Sequence, residues 1–216
     1  KNYRRNYEIL RQLTFVFFCI SSVVAAGLFS LITPFICDIW LSPAYELGWG
    51  TAVLCIVVLL IKIMGLPLSL MMGVTGLFEK EKNAGASSAV LNLVVSLALV
   101  RPYGMTGVLL GTLLSYLLQI CYRYVIFFRD FLEMKEEAIR YARDLGEYTA
   151  VMILEVAVTR RIIPLIYGNG GMIPFIFCFV LCILVPLALN GVFFERGWRL
   201  QSIVKMVRGM KRSGSR

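Results

Sequence analysis

Few side chains in this sequence could do chemistry, and their kinds restrict what that chemistry is. There is no histidine, which removes Ser-His-Asp triads, Cys-His dyads, His-ligated zinc or haem, and imidazole acid–base catalysis. The six cysteines are Cys19, Cys37, Cys55, Cys121, Cys178 and Cys182; none forms a C-x-x-C pair and all lie in or beside apolar runs. Cys178 and Cys182, four apart on one helix face, read as packing residues rather than as a metal clip. What remains are charges embedded in apolar sequence: Lys62, Glu155, Arg160 and Arg161. A Lys or Arg at a bilayer centre costs at least about 2.5–3.5 kcal/mol, so it faces protein or water rather than lipid. No enzyme activity, metal or cofactor is expected from this set.

The elements that must hold these charges follow from composition. Of 216 residues, 59% are hydrophobic and only 16% charged, with a mean hydropathy of +0.78. Soluble domains are about 45–50% apolar and about 25% charged, so this chain is read as an all-α integral membrane protein. A core about 30 Å thick takes roughly 20 apolar residues per helix. Six runs qualify: about 13–37, 51–77, 84–100, 105–128, 148–167 and 172–194. The fifth carries Glu155, Arg160 and Arg161, and hydropathy alone leaves it doubtful. The basic opening Lys1–Arg11 precedes a run too long for a signal-peptide core.

Charge distribution orients the spans and rescues the fifth. The formal net charge is +9. The bases lie between apolar runs, which points to membrane loops rather than nucleic acid. With both termini cytoplasmic, bases outside the spans divide seventeen to one, Arg101 being the exception. Dropping the fifth crossing would move the basic tail 195–216 to the other side. Residues 129–147 are too charged to cross. Phe131, Met134, Ala138, Ala142 and Leu145 recur there at steps of three and four, as in an amphipathic surface helix. Glu136/Arg140 and Arg140/Asp144 would pair along its wet face.

Small residues mark where helices approach. Gly107, Gly111, Ser115 and Gln119 recur every fourth residue in the fourth run; Ser88, Asn92 and Ser96 do so in the third, and Ser22, Ala26 and Ser30 in the first. Packing is the default reading of each stripe, substrate lining the minority one. Lys62 lies near the middle of the second run, with Gly65, Ser69, Gly73 and Gly76 within about 60° of it at 100° per residue. It is therefore expected to point into the bundle or toward a cavity. Glu155 shares a face with Tyr148 and Thr159, while Arg160 sits about 140° away, which excludes an i,i+4 ion pair between them. Arg160 and Arg161 are read as snorkelling outward.

From Gly76 to Phe128 a family likeness emerges. The stretch holds Asn92-Leu93-Val94-Val95-Ser96, then Tyr103-Gly104-Met105-Thr106-Gly107, then Gly111, Thr112 and Ser115. It resembles the polysaccharide-biosynthesis, or oligosaccharide-lipid flippase, family of the multidrug/oligosaccharidyl-lipid/polysaccharide exporter superfamily. Pro186, Asn190 and Phe193-Phe194-Glu195 before the basic tail are similar to that family's ending. The resemblance implies a six-transmembrane-helix bundle forming the C-terminal lobe of a two-lobed flippase, with the N-terminal lobe missing from this chain. It implies a polyprenyl-pyrophosphate-linked oligosaccharide as substrate, turned over in the bacterial cytoplasmic membrane. Lys62, Asn92, Gln119 and Glu155 are the candidate substrate-binding residues, Lys62 being best placed to meet a pyrophosphate. The partners expected are that substrate, membrane lipids and the other lobe, with no nucleic acid. A cation-coupled drug exporter of the same superfamily would instead use a buried carboxylate, and Glu155 is the one well inside a span. A membrane glycan polymerase or transferase is less consistent with outer loops that hold little beyond Asp38, Glu46 and Arg101.

The charge count makes a direct test. Reporter fusions at Trp49 and Asn169 should both read out on the non-cytoplasmic side; a cytoplasmic signal at either position refutes the topology.

Overall fold

The computed structural model describes residues 3–42, 44, 46, 48–132, 135–168 and 171–194, excepting the side chains of 130–132. The basic tail 195–216, Met134, Asn169 and the side chain of Phe131 lie outside the described residues. Five α-helices account for nearly all of the rest: α1 Tyr3–Pro34, α2 Trp49–Val74, α3 Phe78–Val125, α4 Lys135–Tyr167 and α5 Met172–Phe194. Short π-helical segments, Phe35–Trp40 and Ile126–Leu132, extend α1 and α3. Among the described residues there is no strand. Such an economy suits apolar surroundings, because a helix satisfies its backbone N–H and C=O groups within itself.

Four helical stretches are long and apolar enough to cross a membrane: Tyr3–Trp40, Trp49–Val74, Phe78–Arg129 and Met172–Phe194. The expected count of six is not reproduced element for element, for two physical reasons. Residues 84–100 and 105–128 belong to one helical element, α3, which bends back on itself at Gly104. That residue adopts φ +55° and ψ −133°, a region closed to side chains with a Cβ. The two arms are consequently antiparallel, with Glu81 near the start of the first beside Arg123 near the end of the second. The other departure concerns α4, which merges the expected amphipathic segment with the fifth run into one continuous helix and is not among the four apolar stretches. Glu155, Arg160 and Arg161 dilute the apolar character of its 148–167 part, and the residues before it are more charged still.

Close approach between the α3 arms depends on the small-residue stripe. Gly107 and Gly111 are buried. A Cβ on Gly107 would lie 2.2 Å from the Leu99 carbonyl oxygen, and one on Gly111 would lie 2.4 Å from Ser96 Oγ. Packing is thus the role of this stripe. The turn before α3 is closed by Gly76 at φ +81°. There Leu77 N–H donates to the Met72 carbonyl and Gly76 N–H to that of Gly73, the double bond of a Schellman ending.

Helix α1 packs on α2, α4 and α5, while α3 attaches mainly through α2 and, at Tyr124, to Ala138 and Tyr141 of α4. Phe15, Phe18, Tyr148 and Phe194 form an aromatic centre. Within it the Phe18 and Tyr148 rings stack with centroids 4.6 Å apart. Nearer the start of α1, Arg11 Nε donates to Asp144 Oδ2 at 2.7 Å and Thr14 Oγ1 lies 3.1 Å from the Tyr141 hydroxyl. Burial pushes the Tyr141 phenol up to about 12, so it stays neutral and hydrogen-bonded to Thr14. Asp144 is only 2% exposed, which corrects the expectation of a wet Arg140/Asp144 face. The side chain turns inward because Arg11 of α1 supplies its counter-charge. Cys178 and Cys182 are buried free thiols packed with Leu31 and Ile163, as the packing reading held.

The hairpin geometry separates the glycines into two classes. Gly107→Ala and Gly111→Ala should each cost about 1–3 kcal/mol through overpacking. Gly27→Ala, whose Cβ would meet nothing within 4 Å, should change stability by less than about 0.5 kcal/mol. Thermal unfolding of the purified protein in detergent checks this, and an inverted ranking would contradict the hairpin.

Candidate functional site

The four candidate residues fall in three places. Lys62 is exposed on α2, its Nζ 5.8 Å from the centre of the Tyr116 ring on the second arm of α3. The face it shares with Gly65 and Ser69 does turn toward α3: Gly65 packs on Ile120 and Ser69 Oγ donates to Glu81. The ammonium itself stays on the surface of the described chain. Asn92 and Gln119 belong to the α3 hairpin. Asn92 Oδ1 accepts a hydrogen bond from Ser96 at 2.9 Å, and half-buried Gln119 sits opposite Gly85.

Glu155 is the most constrained of the four. It is 0% exposed and neither carboxylate oxygen has a hydrogen-bond partner among the described residues. Ser22 of α1 stands beside it. The Ser22 hydroxyl proton, however, already goes to the Phe18 carbonyl, while Ser22 Oγ accepts from Asn190 Nδ2 of α5 at 3.4 Å. Asn190 Oδ1 is likewise buried without a partner. Among the described residues only the Ser22 hydroxyl stands close enough to offset part of the desolvation cost of this buried carboxylate. That pattern belongs to groups kept for what they bind or exchange, rather than for stability. The described helices do not bring Lys62, Asn92, Gln119 and Glu155 into one pocket, and among the described residues no group of His, Cys, Asp or Glu could hold a metal ion.

Arg160 and Arg161 of α4 are exposed. The Arg160 guanidinium carbon lies 4.5 Å from the centre of the Trp49 ring, at the start of α2. Between these two helices and the second arm of α3, with α1 as the floor, runs an apolar cleft of about 640 Å³ whose lining includes Ala25, Leu60, Met64, Leu117, Ile120 and Thr149.

Three features escaped the sequence reading: the Arg11–Asp144 pair, the Arg123–Glu81 pair and this cleft. The first had a signal. The buried residues Tyr141, Asp144, Tyr148, Glu155 and Thr159 form one stripe at helical spacing, running straight through the boundary placed at 147/148. The pairing of residues 81 and 123 had none beyond the hairpin turn itself.

Fold and site together define a helical bundle with multi-pass membrane character, an exposed cation on α2 and a buried carboxylate that has no counter-charge among the described residues. Comparison with protein families, curated proteins and solved structures finds no match.

If Glu155 is held for function, removing its charge relieves the fold. Glu155→Gln should unfold at the same or a higher temperature than the unaltered protein. A clear fall in the unfolding temperature would assign the carboxylate a structural partner instead.

Proposed function

We propose that this chain is the second lobe of a flippase for polyprenyl-pyrophosphate-linked oligosaccharide, working in the bacterial cytoplasmic membrane with both described ends of the bundle on the cytoplasmic side. In this reading the six crossings are α1, α2, the two arms of α3, the 148–167 part of α4, and α5. The motifs from Asn92 to Ser115 support it, since the Tyr103-Gly104 pair sits at the turn between two tightly packed arms, where the family likeness puts it. The observation that carries the substrate proposal is Lys62: a cation halfway along an apolar helix, exposed rather than buried, with only an aromatic face beside it. An intramembrane cation of that kind needs an anionic or aqueous neighbour, and a facing lobe with an anionic headgroup between would supply one. A flexible ammonium can follow the headgroup as the lobes rock.

In the full-length protein, Lys62→Ala should abolish export of surface glycan while membrane abundance stays normal, and Lys62→Arg should retain part of it. Normal export by an abundant Lys62→Ala protein would eliminate the role. This chain alone, reconstituted in liposomes, should transport no labelled lipid-linked glycan, because alternating access needs two bodies around the site. Saturable transport by it would overturn the half-transporter reading.

Glu155 favours a second reading, a cation-coupled exporter of the same superfamily. A fully buried carboxylate without donors suits a group that gains and loses a proton or alkali cation during turnover. Glu155→Gln should then abolish gradient-driven efflux of a cationic drug, whereas glycan flipping without drug efflux would leave the first reading standing.

A further inference from the structure

The cleft between α2 and α4 carries an inference independent of the transported substrate, resting on the membrane setting alone. Its α2 and α4 walls are apolar apart from Thr149; Leu117 and Ile120 of α3 complete the lining, and Arg160 and Trp49 meet just beyond it, one turn past Val156. At 100° per residue, Arg160 lies within about 20° of Thr149 and Ile153 on α4, and Trp49 lies within about 20° of Leu60 on α2. The stripes that line the cleft therefore continue into the Arg160–Trp49 contact, which joins the two helices at that end. The rise from Leu145 to Val156, both lining residues, is about 16 Å, close to half of the roughly 30 Å hydrocarbon core.

The guanidinium is only partly engaged. Stacking on Trp49 uses its face, and among the described residues no hydrogen bond takes up its edge N–H groups. An Arg presents five donors suited to phosphate oxygens, and exposed Arg161 follows immediately. The site thus asks for one molecule with an anionic phosphate at the Trp49 end and a flexible apolar chain below it. We propose that the cleft holds an acyl chain of an anionic glycerophospholipid from the surrounding bilayer, its phosphodiester seated on Arg160. The lipid enters sideways, since the cleft is open along its flank. It fills the space between α2 and α4, which otherwise meet at the Arg160–Trp49 contact and in the core cluster that Leu68, Met71 and Met72 share with Tyr141.

The test uses the unaltered chain in phosphatidylcholine vesicles doped with phosphatidylglycerol that bears a photoactivatable acyl chain. Cross-links should concentrate on Met64, Met152 and Ile153. Unlabelled phosphatidylglycerol should displace them and phosphatidylcholine should not. Arg160→Gln should lower the yield about fivefold, the weight of one interfacial cation, and Thr149→Trp, which fills the cleft, should remove it. Label spread evenly over the exposed faces of α3 and α5, or displaced equally by both lipids, would overturn the proposal. So would stronger displacement by polyprenyl phosphate, which would give the cleft to the transported lipid. Failure of the protein to float with the vesicles would instead remove the membrane setting, so the two failures are distinguishable.

Discussion

The packing of α1 against α2, α4 and α5 is what the rest of the bundle depends on. In hydrocarbon, apolar contact between helices gains little over contact with lipid, so position must be fixed by hydrogen bonds, ion pairs and close-fitting surfaces. Helix α1 supplies these in a single stripe: Arg11 to Asp144, Thr14 to Tyr141, Phe18 on Tyr148, and Ser22 to Asn190. The first three engage α4 and the last engages α5. This register leaves α4 no freedom to rotate, and rotation would expose Asp144 or Glu155 to an apolar face.

That fixed register explains why the two most conspicuous intramembrane charges have different fates. Glu155 is carried inward with Asp144 and Tyr148 because all three share one face of α4. Asp144 meets a counter-charge and Glu155 does not. Lys62 belongs to α2, whose face toward α3 is closed lower down by Gly65 on Ile120 and by the Ser69–Glu81–Arg123 chain of hydrogen bonds. At the level of Lys62 that contact thins to a ring and an ammonium. One charge is thus buried inside the bundle and the other displayed on its flank.

Helix α3 differs from the other elements. It is bound to the bundle mainly through α2, with Tyr124 reaching α4, and its two arms hold each other by backbone proximity at Gly107 and Gly111. Large apolar side chains such as Val90, Leu93, Leu97 and Leu118 remain exposed along it. Bulk on the outside and glycine on the inside of a hairpin is the distribution that lipid surroundings impose, since only the inner face must allow backbones to touch.

The helical class and the apolar segments were legible in the sequence, because each rests on local properties, hydropathy and the small-residue period. The turn at Tyr103-Gly104 came only with the family likeness. The packing role of Gly107, Gly111, Cys178 and Cys182 was legible too. Tertiary structure alone decided that residues 135–167 are a single helix and that Asp144 faces Arg11. It likewise decided that Glu155 is buried without donors, whereas Lys62 lies on the surface. These depend on the rotation of one helix about its axis relative to another, which composition and periodicity leave open. A pattern tells which residues share a face, but only the neighbours fix whether that face meets a counter-charge, an open cleft or another backbone.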